Sequence, residues 1–229
     1  MLASKAFEMT ARPKRGNSWL VALLTIASIA IWVYQETQQP GQSRATDPPH
    51  KPSGSTGVYE IYRNCNLVEA RNNDGDSFIV RLPTGKQAEF RLYFVDTPES
   101  AFKSYRGGET NHARIRQQAA EMGGITPEQA VEIGKKAKSF TLGLLASRPF
   151  DIYTRWDSPF GDERFHAFVE VKLNGKPRYL SELLVERGFA RIKTKPADLP
   201  DGTPAAKQLA HLRELEREAK RVATGVWSF

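Results

Sequence analysis

Two stretches in the middle of the chain alternate apolar and polar residues with period two. In residues 77–82, Phe78, Val80 and Leu82 share one face, and in residues 90–95, Phe90, Leu92 and Phe94 do. Each pattern predicts a half-buried strand, and Pro83-Thr84-Gly85-Lys86 between them predicts a hairpin turn. Further strands are predicted at 59–70, 150–155 and 165–173, the last turning at Asn174-Gly175 toward Tyr179. Helices are punctuated differently. Thr126-Pro127-Glu128-Gln129 supplies an N-cap, a proline in the first turn and a capping-box glutamine, opening a helix that runs to about residue 145. A short helix over 181–187 stops at Gly188. Thr203-Pro204 opens a last helix with Leu209, Leu212, Leu215, Ala219 and Val222 on one stripe, and Trp227 follows as a packing anchor. Three strands, a helix, two strands and two helices predict an α+β fold, a small closed β-barrel with about three helices packed on it.

The first 57 residues read differently. Residues 19–34 contain no charge and follow a basic end, 1–18, in which Lys5, Arg12, Lys14 and Arg15 face only Glu8. This is the pattern of a signal-anchor or transmembrane helix whose basic flank stays in the cytoplasm. Gln35 to Pro40 lack the small residues of a cleavage site, which favours a retained anchor, and a domain held outside the cytoplasm, periplasmic or extracellular. Cleavage somewhere around 30–45 would give a secreted protein instead. Residues 35–57 lack large apolar side chains and are rich in Pro, Gly, Ser, Thr and Gln, so they read as a flexible, disordered linker. The folded domain is then 58–229.

Composition narrows the chemistry. The net charge of +7 favours a polyanionic partner, but +3 of it lies in residues 1–18, leaving the folded part mildly basic. The single cysteine, Cys65, excludes an internal disulfide and reads as a packing residue, and His50, His112, His166 and His211 are too scattered for a zinc site.

Three polar clusters interrupt the strand pattern: Asn73-Asp74-Gly75-Asp76, the run from Arg91 through Asp96-Thr97-Pro98-Glu99, and Gly161-Asp162-Glu163-Arg164. Taken singly, each is also an ordinary turn or a solvated strand end. Together they hold the parts of a phosphodiester-cleaving site. Asp76 and Asp96, with a main-chain carbonyl such as that of Thr97, offer oxygen ligands to a hard divalent cation. Arg91 and Arg164 offer permanent charge to a phosphate, and Glu99 a carboxylate for the attacking water.

The order DGDS, FRLYFVDTPES, a strand-opening arginine, LVERGFARI and a terminal helix ending in GVW resembles the staphylococcal (micrococcal) nuclease family, over essentially residues 65–229. The resemblance implies an OB-fold-type five-stranded barrel and calcium-dependent hydrolysis of DNA and RNA that leaves 3′-phosphate ends. It also implies Asp76, Asp96 and the Thr97 carbonyl as Ca2+ ligands, Arg91 and Arg164 as phosphate ligands, and Glu99 as the water-activating carboxylate. This chain departs from the family in three places. Two acidic residues, Asp162 and Glu163, precede Arg164. A tyrosine pair that packs on the nucleotide is missing from residues 191–196. The stretch after Glu99 is longer and carries Tyr105, Arg106, His112, Arg114 and Arg116, which reads as a substrate-side loop with a short helix or as a solvated basic insert. The competing readings are a catalytically silent nucleic-acid-binding barrel and a membrane-tethered interaction module.

Overall fold

The computed structural model describes residues 54–158, 161 and 163–229. The apolar segment at 19–34, most of the linker at 35–57, and Asp162 lie outside them. Among the described residues no helix is long and apolar enough to cross a membrane.

Five strands close a barrel. They are β2 (Glu60–Leu67), β3 (Ser77–Arg81), β4 (Gln87–Leu92), β6 (Phe150–Thr154) and β7 (Arg164–Leu173). They pair in the order β2-β3-β4-β7-β6, and β6 returns to β2. All these pairings are antiparallel except β4 with β7, which is parallel and therefore needs a long crossover between them. The crossover carries two helices, α1 (His112–Glu121) and α2 (Pro127–Ala146). Beyond β7 come the hairpin strand β8 (Lys176–Tyr179), α3 (Leu180–Glu186), α4 (Ala205–Arg221) and a 3-10 turn at Gly225–Ser228. A short strand β1 (Gly54–Ser55), from the stretch read as linker, pairs with Ile61 and Glu60.

The fold is the α+β barrel that the periodicity predicts, with the capping box at Thr126 and Gln129 formed on both sides. Phe78, Val80, Phe90, Leu92, Val169 and Val171 fill one core together with residues of α3 and α4. Cys65 is wholly buried within it, and desolvation pushes its thiol up to about 12, so it packs as an apolar group. Trp227 packs beside Met122, Ile133 and Val226, at the foot of α2.

The described residues hold four α-helices, and the fourth, α1, is the short helix of one reading of the residues after Glu99. Two expectations are corrected. The apolar stripe of the last helix stops at Ala219, because Val222 follows the helix as its C-cap and is 51% exposed. The strand predicted over 90–95 breaks after Leu92, since Phe94 takes a left-handed φ of 70°. That conformation is an outlier for a bulky side chain and needs support from its surroundings. Phe94 receives it from both sides: its N–H donates to the Lys195 carbonyl at 3.1 Å, and its carbonyl accepts from the Lys193 N–H at 2.8 Å. Past the bend, β5 (Val95–Asp96) leaves the barrel and pairs with β9 (Arg191–Ile192) instead.

Candidate active site

The bend at Phe94 and the turn before β3 bring Asp96 and Asp76 together. Asn73 braces that turn: its side-chain oxygen accepts from the Ile79 N–H at 2.9 Å and its amide donates to the Val68 carbonyl at 2.7 Å. Helix α2 holds it from behind, where the buried Thr141 hydroxyl donates to the Gly75 carbonyl at 2.8 Å. Gly75 itself lies so close to Thr97 that a Cβ there would stand 2.8 Å from the threonine hydroxyl oxygen.

Asp96 is the hub. Its Oδ1 accepts from Arg91 at 2.7 Å and from Arg114 at 2.9 Å, and its Oδ2 from Gln118 at 3.1 Å and from Arg191 at 2.8 Å. Arg91 also reaches Asp76 Oδ2 at 3.4 Å, and the Thr97 N–H points at the same oxygen from 3.4 Å. Glu99 joins through Arg114, whose Nε lies 2.9 Å from its Oε1. The Gln118 side chain locks the loop between them: its oxygen accepts the Glu99 N–H at 3.0 Å and its amide donates to the Thr97 carbonyl at 3.1 Å.

Asp76, Asp96, Thr97, Glu99 and Arg91 therefore form one cluster. Arg164 lies beside it. The parallel register sets Arg164 against Glu89 and His166 against Arg91, which places Arg91 and Arg164 on one outer face of the sheet, two positions apart. His166 is buried and stacked on Tyr93 with ring centroids 5.2 Å apart, and desolvation lowers its pKa, so it stands there as a neutral packing group.

In the sequence alone Arg114 reads only as part of a basic insert, and Gln118 and Arg191 do not read as site residues. One signal was present. Gln118 shares the buried stripe of α1 with Ile115 and Ala119, and a polar residue on such a stripe requires a partner.

Electrostatics bear on what the cluster accepts. Burial without enough compensation raises the pKa of Asp76 to about 7, with Asp96 and Asp74 adding to the rise and Arg91 and Arg114 opposing it. Among the described residues the buried Thr97 hydroxyl finds no hydrogen-bond partner. Among the described residues no three His, Cys, Asp or Glu side chains gather closely enough to hold an ion by themselves. A cation here would have to draw on Asp76 and Asp96, main-chain oxygen and water. That all-oxygen set, with an under-compensated carboxylate and an orphaned hydroxyl beside it, fits a hard divalent cation.

A closed five-stranded barrel that gathers carboxylates and guanidinium groups on its outer face defines a class: an OB-type barrel protein of the nucleic-acid-handling kind. The chain belongs to the staphylococcal nuclease homologue family, which it matches over residues 89–229. Arg91, Asp96, Thr97, Glu99, Arg114, Gln118, Arg164 and Arg191 all fall within the match, while Asp76 precedes it. No curated protein matches the chain.

Proposed function

We propose that the chain is a calcium-dependent nuclease that hydrolyses phosphodiester bonds of DNA and RNA with little preference between the sugars, leaving 3′-phosphate ends. The observation that carries this reading is the convergence of Asp76, Asp96, Glu99 and Arg91 within one set of hydrogen bonds and ion pairs. Asp76, Asp96 and the Thr97 carbonyl are the residues that would hold Ca2+. Bound there, the ion would draw a phosphate oxygen and the attacking water together and neutralise growing negative charge.

The protein's own groups supply the rest. Arg91, already fixed between two carboxylates, presents a preorganised guanidinium to the phosphate, and Arg164 adds a second from the neighbouring strand. Glu99, tied at its N–H by Gln118, orders the attacking water and takes its proton. Cleavage at the 5′ side of the phosphodiester leaves the phosphate on the 3′ end. Sites with few carboxylates bind calcium with Kd of about 10⁻⁴ to 10⁻³ M, concentrations met outside the cytosol. That range agrees with an anchor at 19–34 in the membrane and a nuclease domain, 58–229, on the outer side.

The purified full chain should degrade single-stranded DNA and RNA in millimolar calcium and stop when the ion is chelated. Undiminished cleavage in chelator would remove the cation from the reading. Binding of oligonucleotide without cleavage under any of these conditions would favour a silent binding barrel.

A further inference from the structure

The cluster carries two guanidinium groups, Arg114 and Arg191, that the proposed chemistry does not use. Asp96 Oδ1 accepts from both Arg91 and Arg114, and Oδ2 from both Gln118 and Arg191. A carboxylate oxygen offers about two acceptor positions, so neither oxygen has one to spare. Cations already crowd the carboxylates: Arg91, Arg114 and Arg191 stand around Asp76, Asp96 and Glu99, and Lys103 lies 3.7 Å from Glu99. A divalent cation that ligates Asp96 must therefore displace a donor already there.

The four donors are not equally placed to leave. Gln118 is fully buried and holds the Glu99 N–H and Thr97 carbonyl at the same time. Arg191 is buried and pairs with Glu121 at 2.6 Å through its other nitrogen. The Arg91 side chain is only 12% exposed and bridges to Asp76. The Arg114 side chain is 45% exposed, and both carboxylates that hold it, Asp96 and Glu99, belong to the site itself. It extends from α1, which lies in the stretch after Glu99.

Resting on the cation-dependent reading above, we propose that Arg114 is a displaceable counter-ion, a positioning residue whose guanidinium stands in for the divalent cation at Asp96 and Glu99 and competes with it for the site. The insert helix thus sets the metal threshold of the enzyme. Arg114 holds the two carboxylates close together while no ion is present, and swings outward on its exposed stem when one binds.

The test is a calorimetric titration of the full chain with calcium chloride, without nucleic acid. Arg114→Ala and Arg114→Gln should each bind calcium roughly tenfold more tightly than the unaltered chain, the scale expected when two partly exposed ion pairs no longer compete. Arg114→Lys, which retains the charge, should stay near the unaltered affinity. Thermal melts in chelator should show both neutral variants folded, since the residue is surface-exposed, and the second variant carries the test if the first does not fold. Equal or weaker calcium binding by folded Arg114→Ala and Arg114→Gln, beside measurable binding by the unaltered chain, would overturn the competition and leave the nuclease reading intact. No calcium binding by any of the four proteins up to about 10 mM, well above the Kd range of weak sites, would instead remove the calcium-dependent reading, and the competition with it.

Discussion

Gly134 sets its bare Cα against the main chain of Glu99. A Cβ at that position would stand 2.6 Å from the Glu99 carbonyl carbon and closer still to its oxygen, and the obstruction is backbone on both sides, Pro98 included. Helix α2 therefore fixes where the Pro98-Glu99 segment runs. Gly134→Ala removes the flexibility of a glycine in mid-helix, worth up to about 1 kcal/mol on its own. It nevertheless should displace Glu99, and a misplacement of about 1 Å at a reacting group costs on the order of 10²-fold in rate. Turnover should fall far more than melting temperature. Wild-type turnover in a folded Gly134→Ala protein would show that the contact does not position Glu99.

The two arginines differ in surroundings and should be tested separately. Arg91→Ala and Arg164→Ala should each lower turnover by about 10² to 10³, the scale of one lost preorganised donor to a developing oxyanion. Arg91 is held in the carboxylate cluster, whereas Arg164 stands two positions away on the adjacent strand. If Arg164→Ala cleaves at the normal rate, that arginine does not reach the phosphate.

Glu99→Gln keeps the shape of the side chain but removes its charge and basicity. The expected result is a fall in turnover with nearly unchanged oligonucleotide affinity, measured by fluorescence anisotropy in calcium. A defect confined to affinity would contradict the water-activating role.

Asp76 gives the metal-free protein a pH signature. Its folded pKa, raised by burial to about 7 from 3.8, means that the folded chain binds a proton more tightly than the unfolded chain does. The resulting stabilisation is complete below the unfolded value and is lost as pH rises through 7. In chelator, Asp76→Asn should therefore gain on the unaltered chain as pH rises from 4 to 8, reaching roughly 1–3 kcal/mol in urea unfolding. Calcium should narrow the gap at pH 8. A difference that does not change with pH would show that Asp76 is not strained in its charged form.

Much of the fold lies in short-range signals. The turn at 83–86, the capping box at Thr126 and the stop at Gly188 each act within a few residues, so their chemistry is visible in the chain itself. Asp76, Asp96 and Glu99 were equally visible, because carboxylates at strand ends stand out against an apolar pattern. The break at Phe94 was not. Phe90, Leu92 and Phe94 continue one alternation, and what interrupts it is a pair of main-chain hydrogen bonds from residues about a hundred positions later. Arg114, Gln118 and Arg191 stayed hidden for a similar reason. On their own elements the two arginines look like a solvated face, Gln118 shows only that it needs some partner, and the packing of α1 and β9 across Asp96 supplies the partners.

The clasp of β5 with β9 has a consequence for biosynthesis. Asp96 is oriented by a strand whose partner is Arg191-Ile192, so the cluster cannot close while the ribosome still shields that late stretch. Nascent chains and prematurely terminated fragments that stop short of residue 191 contain Asp96 but lack the strand and the arginine that orient it.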